Sequence, residues 1–521
     1  VNTDYPYFKE LADVCGGVYS PKRLLCVCLL TFVVFSLIIN SSWKATPDSA
    51  LYLELGESLA SGSGYFYNDA PHTYVPPGFP LILSLWIGWF GNDFFYYRLL
   101  MALIGALTSL SCVCLMWRLC GPDLAILIGG IFSINHTIVL NSTYTSSDIP
   151  FTFFCFLGFH FILTAARHKE SVVLIGIAGL FAGIPALIRI NGWGLPPALV
   201  IFLWSGFSGY HLSYKAARCL AFLVSAYSLP ALWEFHKSGF PVSLYEGEYL
   251  RAVAGRSLET QVLVVLQSMW EYFFETAFAL TGISMRIGVL EIALSFLIII
   301  GLVIAYRKGE RLFSAFTAIQ MAGLFLSSAG SRYMAPLIPG LYLFLGLGLL
   351  NLARAVNLRF SSAMIAPASL ITGLFVSLGA TNLGADLQTI YHSRTAIERH
   401  GPESSRDAPF FAAAKWIKTN DAQGPILSMN PRIIRYLTRV KTIDLLRSGV
   451  PEHLAWASTQ DEISSIMKNY QPKYVFIDSK NQPLKDTVMG AILNNDYQLV
   501  EIEEARAGDR FSLWKIVKPV K

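Results

Sequence analysis

The chain has 521 residues, of which 14% are charged and 54% hydrophobic, with a formal net charge of +5. Soluble proteins carry roughly 25% charged residues, so this chain cannot cover itself with a water-facing surface and reads as an integral membrane protein. Its Lys and Arg form no run or basic stripe interleaved with aromatics, which argues against nucleic acid as a partner.

The charge is unevenly placed. Residues 385–521 hold 19 Lys+Arg and 16 Asp+Glu, 35 of the 75 charges, so residues 1–384 share only 40. Two solvents for two parts follow: a lipid-embedded domain over 1–384 and a water-facing domain over 385–521. All eight cysteines lie in the first 219 residues, leaving the charged tail without a disulfide framework. Cys26 and Cys28 sit in an apolar run with no second pair or nearby His, and read as small helix fillers rather than metal ligands.

About eleven apolar stretches are long enough to be read as spans of a roughly 30 Å hydrocarbon core. They fall at about 23–42, 98–116, 123–141, 149–166, 171–187, 193–208, 219–233, 288–306, 312–328, 334–351 and 363–382. The first lacks an Ala-x-Ala cleavage site and reads as retained. One set of alternate short ends carries thirteen Lys/Arg, among them Lys22, Arg23, Arg118, Arg167, Lys215, Arg307 and Arg354; the other set holds Lys44, Arg189 and Arg332, with Arg98 at a boundary. The positive-inside rule then puts the amino terminus in the cytoplasm and, across an odd number of spans, the tail outside.

Pro76-Pro77-Gly78-Phe79-Pro80 leads into an apolar run too short to cross, rich in Trp86, Trp89 and Phe90. It reads as an interfacial or re-entrant helix on the outer face, so the first outer loop extends over 43–97, long enough to be functional. A second outer segment, 234–286, mixes Tyr245, Trp270, Tyr272 and Phe273 with Glu246, Glu248, Arg251 and Arg256; it reads as an amphipathic helix pair lying on the membrane. In the tail, a helix is expected over Phe410–Lys418 and strands over Ile426–Met429, Tyr474–Asp478, Tyr497–Ile502 and Phe511–Val517, a small α/β domain without a glycine-rich phosphate loop.

Ionisable groups at membrane depth or at span ends are the informative ones, because burying them near lipid is costly. Asp48 follows the first span and begins a helical pattern with Tyr52 four residues on; Asp148 stands at the outer mouth of the fourth span, in Ser147-Asp148-Ile149-Pro150. The plain reading of both is a helix N-cap. The functional reading is that two carboxylates from separate segments meet in a cleft suited to acid/base chemistry. Arg189 and Arg332 break the charge bias of their side; they either snorkel to headgroups or bind a phosphate presented at the membrane surface. His72, beside Asp69, reads as an ordinary loop histidine.

Asp48, the Pro76–Pro80 segment, the Ser147–Pro150 corner and the run Arg332-Tyr333-Met334-Ala335-Pro336-Leu337-Ile338-Pro339 together resemble the GT-C superfamily of integral membrane glycosyltransferases. Within it they resemble the branch of protein O-mannosyltransferases and lipid A aminoarabinose transferases, over about residues 20–385. The resemblance implies a sugar donor carried on a polyprenyl or dolichyl phosphate and a lipid, glycan or protein acceptor. Asp48 would be the base that takes the acceptor proton during an inverting displacement, and Asp148 would orient the acceptor or a catalytic partner. Arg189 and Arg332, with Tyr333, would hold the donor phosphate, while Tyr52 and Tyr74 would contact substrate. Two departures narrow this. The chain has Val75 before Pro76-Pro77, where aminoarabinose transferases have a lysine, and Ser49-Ala50 after Asp48, without the Asp-x-Asp of metal-dependent oligosaccharyltransferases; a metal-free mechanism with no cofactor is expected.

The expected location is the bacterial inner (plasma) membrane with site and tail on the periplasmic side. The tail would bind an acceptor or shield the cleft, acceptor engagement being preferred. A multi-span solute or lipid-linked-glycan transporter is the rival from another class, although neither an internal repeat nor a broken helix at mid-membrane is visible. In a third reading, an assembly protein, Asp48 and Asp148 would only be caps.

Overall fold

The computed structural model describes residues 8–14, 18–168, 171–240, 258–283, 288–326, 330–359, 367–400, 408–428, 430–444, 460–478, 482–494, 497–505 and 511–517. A helix occupies each of the eleven expected apolar stretches. In chain order the membrane part comprises α1 (Lys9–Val14), α2 (Pro21–Leu37), α3 (Pro47–Ala60), α4 (Gly78–Phe90), α5 (Phe94–Cys120), α6 (Pro122–Ser133), α7 (His136–Asn141), α8 (Asp148–Arg167) and α9 (Val172–Ile188). It continues with α10 (Leu195–Gly206), α11 (Leu212–Lys237), α12 (Leu258–Thr281), α13 (Gly288–Arg307), α14 (Leu312–Leu324), α15 (Ile338–Arg359) and α16 (Pro367–His400).

Among the described residues six segments are long and apolar enough to cross a membrane, which makes the chain an integral membrane protein; the number eleven is not reached by that measure among them. The shortfall has physical causes. The expected span 123–141 is broken at Ile134-Asn135, where the Asn135 amide donates to the Ala279 carbonyl and the Tyr342 hydroxyl and its oxygen caps Ile138 N–H. A side chain that satisfies a helix end and two neighbours can interrupt a helix inside the bundle without orphaning backbone groups. The run after Pro77 is the 13-residue helix α4, about 20 Å long at 1.5 Å per residue and so too short to cross. Its Leu81, Leu85 and Trp89 are exposed while Phe79 and Leu83 are buried.

Glycines set the tightest crossings. A Cβ on Gly183 of α9 would stand 1.9 Å from the Ala226 carbonyl of α11, and on Gly301 of α13 it would stand 1.7 Å from the Phe344 carbonyl of α15. Backbone contact through small residues is how helices associate where lipid offers no hydrophobic drive. α15 lies at the centre, buried over residues 338–350, with Leu341 to Leu345 at or near zero exposure.

The 234–286 segment begins in the last turn of α11 and contains α12, on which Trp270, Tyr272 and Phe273 lie; Tyr245, Glu246, Glu248, Arg251 and Arg256 fall outside the described residues. α12 buries Tyr272, Thr276 and Ala279 and exposes the apolar Val262, Leu266 and Trp270.

α16, 34 residues long, runs past position 385 without a break and leads to the C-terminal domain. That domain holds α17 (Ala408–Thr419), β3 (Ile426–Ser428), α18 (Pro431–Thr438), β4 (Thr442–Asp444), α19 (Gln460–Tyr470), β5 (Tyr474–Asp478), α20 (Gln482–Asn494), β6 (Gln498–Glu501) and β7 (Phe511–Val517); β1 (Phe66–Tyr67) and β2 (Ala70–Pro71) form a short hairpin in the 43–97 loop. The five-stranded sheet has the order β4-β3-β5-β7-β6, parallel from β4 to β5 and antiparallel at β7 and β6. β5 alternates: Val475 and Ile477 pack with Ile463, Val488 and Ile492 of α19 and α20, whereas Tyr474 and Phe476 face Phe410 and Trp416 of α17. Both faces are thus covered by helices. The predicted helix and four strands are present; β4, α18, α19 and α20 were not foreseen.

Candidate active site

The 43–97 loop and the C-terminal domain meet on one side of the helix bundle, and the candidate residues gather there. The first link is α3. Thr46 is its N-cap: the Thr46 hydroxyl accepts from Ser49 N–H, the Ser49 hydroxyl accepts from Thr46 N–H at 3.0 Å, and Pro47 occupies the first turn. This capping box releases Asp48 from the capping role that its position suggested. The Asp48 side chain, 42% exposed, instead lies 3.4 Å from Arg332 Nη1 through Oδ2 and 3.3 Å from Arg432 Nη1 through Oδ1.

The second link is the Ser147-Asp148 corner. Asp148 is the first residue of α8, after Ser147 at the cap position, and is 2% exposed. Its carboxylate accepts from Arg189 Nη1 at 2.5 Å. Arg189 ends α9, where the chain turns into the 3-10 segment Ile190–Gly194; Gly192 packs so closely on Pro185 that a Cβ would stand 2.2 Å from its carbonyl carbon. That turn directs the guanidinium inward to Asp148 and Ser147, so Arg189 does not snorkel.

Aromatic hydroxyls and rings connect the two links. Tyr52, one turn after Asp48, shares a 2.7 Å hydrogen bond with the Ser147 hydroxyl, which also accepts from Arg189 at 3.1 Å. Burial pushes the Tyr52 hydroxyl up to about 12, so it stays protonated near neutral pH. Arg189 and Arg332 both lie 4.9 Å from the Tyr333 ring centre, and Arg332 Nη2 donates to the Tyr333 hydroxyl at 2.9 Å. Asp48, Tyr52, Asp148, Arg189, Arg332 and Tyr333 therefore form one continuous polar network drawn from separated segments. Tyr74 is half-buried against the hydrophobic core on the loop leading into α4.

His72 is buried, and its Nε2 accepts from Val75 N–H at 3.1 Å, the structural role expected of it. Burial, reinforced by the nearby Arg432, pushes it down to about 3, so its ring is neutral. Among the described residues no three His, Cys, Asp or Glu side chains are grouped so as to hold a metal ion.

The residues that sequence reasoning missed come from α18 and its C-cap. Arg432 reaches Asp48; Arg435 donates to Glu54 at 3.0 Å and Asp69 at 2.9 Å; Arg439 pairs with Glu57. Tyr436 donates to Glu57 at 2.8 Å, and its ring packs against Trp43. A signal for this helix was present: Pro431 starts it, and Arg432 and Arg435 follow at a spacing of three that places them on one face, with Arg439 at the C-cap.

ArnT from Cupriavidus metallidurans, in a crystal structure with undecaprenyl phosphate, superposes on this chain with a TM-score of 0.58 at 15% identity, covering 95% of this chain and 98% of that one. The archaeal oligosaccharyltransferase AglB from Archaeoglobus fulgidus, in complex with an inhibitory peptide and a dolichol-phosphate, does so with a TM-score of 0.54 at 12% identity, covering 95% and 74%. The chain therefore shares its fold with these two solved proteins. Residues 74–233 match the family described as dolichyl-phosphate-mannose-protein mannosyltransferase, from the end of the first loop into α11. An uncharacterized protein of Aquifex aeolicus is 23% identical over 225 residues, a match that spans 42% of this chain and 44% of that relative. The helix bundle thus brings α3, α8, α9 and the segment Ser331–Leu337 together, and the C-terminal domain of this chain is seated on the same face.

Proposed function

We propose that the protein is an inverting glycosyltransferase that moves a sugar from a polyprenyl-phosphate carrier to an acceptor on the outer face of the membrane, with Asp48 as the general base. The observation that carries this reading is the half-exposed carboxylate of Asp48 beside an arginine cluster, in a fold whose solved relatives are described with undecaprenyl phosphate or dolichol-phosphate bound. Asp48 lies at the open end of the network, whereas Asp148 is buried at its closed end. The first is suited to meet a substrate and the second to hold Arg189.

In the proposed reaction the acceptor oxygen attacks the anomeric carbon from the face opposite the phosphate, and its proton passes to Asp48. The bond from the anomeric carbon to the phosphate oxygen breaks with its electrons, and the lipid phosphate leaves carrying the added negative charge. Arg332 and Arg189, backed by Tyr333, stabilise that charge as it grows; preorganised cations in a water-poor cleft are most effective on charge that develops during the step. Tyr52, protonated, donates or accepts a hydrogen bond with a sugar or acceptor hydroxyl, and Tyr74 lines the approach from the loop.

The test is Asp48→Asn in membranes, assayed for sugar transfer from a polyprenyl-phosphate donor. Asn keeps the shape, and the Thr46–Ser49 capping box is untouched, so the helix is retained while the base is lost. Activity should fall by a factor on the order of 10²–10⁴. Full transfer by the Asp48→Asn protein would remove Asp48 from the chemistry.

A further inference from the structure

The C-terminal domain is seated on α3 through ion pairs of Arg435 with Glu54 and of Arg439, at the C-cap of α18, with Glu57. These pairs and the β1–β2 hairpin border a cavity of about 530 Å³. Sites for small molecules measure roughly 300–1,000 Å³ and have mostly apolar walls; this cavity has the size but a polar wall. Three carboxylates, two guanidiniums and three serine hydroxyls line it, together with Phe66, a residue 38% exposed. The side chains of Glu54 and Arg435 are each nine-tenths buried.

Glu54 decides what the cavity can take. Arg435 Nε and the Asn68 N–H both donate to its Oε1, at 3.0 and 3.2 Å, while no donor among the described residues reaches its buried Oε2. A carboxylate oxygen buried without a donor is costly, and a ligand that relieves the cost brings an O–H or an N–H. Charge narrows the choice. Among the described residues that line the cavity, Glu54, Glu57 and Asp69 outnumber Arg435 and Arg439, so an anion is repelled. A metal ion does not fit either, because among the described residues the carboxylates are not grouped as metal ligands are. Sugar hydroxyls do fit: each donates and accepts at once, as a wall of carboxylates, guanidiniums and serines requires, and the C–H face of a sugar ring packs on an aromatic ring such as Phe66.

We propose that this cavity binds an uncharged or amine-bearing saccharide, and that the saccharide belongs to the acceptor. The proposal rests on the sugar-transfer reading above, in which Asp48 takes the acceptor proton. Position supports it. Helix α3 carries Asp48 in its first turn and the wall residues Glu54 and Glu57 farther on, about 9 and about 14 Å along the axis at about 1.5 Å per residue. A short oligosaccharide can present one hydroxyl to Asp48 and rest another ring in the cavity. Arg435 and Arg439 belong to the wall, so the C-terminal domain completes the acceptor side of the protein.

The experiment uses the full-length protein in nanodiscs without donor, and saturation-transfer NMR with glucose, mannose, glucosamine and glucose 6-phosphate as probes. At least one of the first three should bind, and glucose 6-phosphate should bind about tenfold or more weakly than that sugar because its charge meets the acidic wall. Ser63→Tyr, at an exposed position of the wall, fills the cavity and should abolish the signal. Phe66→Ala removes the ring and should weaken binding about three- to tenfold. Both variants leave the Arg435–Glu54 and Arg439–Glu57 pairs in place, so the domain stays docked. The proposal is overturned if none of the three sugars binds, if both variants bind as the unaltered protein does, or if glucose 6-phosphate binds as well as the sugars. It is also overturned if Ser63→Tyr loses the signal yet transfers sugar at the full rate in membranes. Full transfer by Asp48→Asn with the saccharide signal intact would overturn the reading of Asp48 instead, an outcome distinct from all of these.

Discussion

Replacing Arg435 by Met tests what holds the C-terminal domain on α3. The side chains of Arg435 and Glu54 are each 9% exposed, so the substitution leaves a nearly buried carboxylate without its cation. Removing one member of a buried pair costs about 3–5 kcal/mol. The second partner, Asp69, is 71% exposed and adds little; the Asn68 N–H that still reaches Glu54 at 3.2 Å recovers part of the loss. About 3 kcal/mol remains, a shift of roughly 100-fold in the docking equilibrium. Hydrogen exchange of the full-length protein reads this directly: backbone amides of α3 and α18 should lose about 100-fold in protection, while those of α19 and α20, on the other face of the sheet, should be unaffected. Adding Glu54→Gln to Arg435→Met should restore much of the protection, because the orphaned charge is then gone. Unchanged exchange in α3 and α18 of the single variant would refute the idea that this ion pair anchors the domain.

Further outcomes follow from other contacts. Asp148→Asn leaves the largely buried Arg189 without its counter-charge and should lower stability by about 3 kcal/mol or more; a partial return in Asp148→Asn with Arg189→Gln, read by thermal unfolding, checks the pairing. Gly301→Ala drives a Cβ into the Phe344 backbone and should cost at least about 1–3 kcal/mol, whereas Gly373→Ala, which meets nothing within 4 Å, should be neutral in the same melt. His72, held at about 3 against an ordinary 6.5, is neutral when folded but protonates when unfolded. Its contribution is therefore full above about pH 6.5 and is lost as pH falls toward 3. Denaturation measured from pH 7 to 4 should show a decline that is shallower in His72→Gln.

Much of the architecture was legible because membrane solvent imposes a strong rule on composition. Stretches such as 98–116 and 149–166 have no choice but to be helical where no water satisfies the backbone. The short run after Pro77 was likewise identifiable from its length and its helix-breaking start. Count was another matter: the break at Asn135 depends on partners at Ala279 and Tyr342, far along the chain, and nothing local announces it. The same holds for caps. Asp after Pro is a good local cap signal, yet at α3 the Thr46–Ser49 pair takes that role and at α8 Ser147 stands at the cap, so that Asp48 and Asp148 are directed to arginines.

By itself, the sequence determined that the chain divides between lipid and water, where its apolar helices lie, and which few charges near the membrane face call for partners. Burial cost is a property of each residue and can be read one residue at a time. Only the tertiary structure decided the pairings: Asp148 with Arg189 across 41 residues, Asp48 with Arg332 across 284, and Asp48 with Arg432 across 384. Attraction between charges depends on distance in space, not on separation in the chain. Arg432 was therefore one more arginine in a charged tail until the docking of α18 on α3 set it beside Asp48.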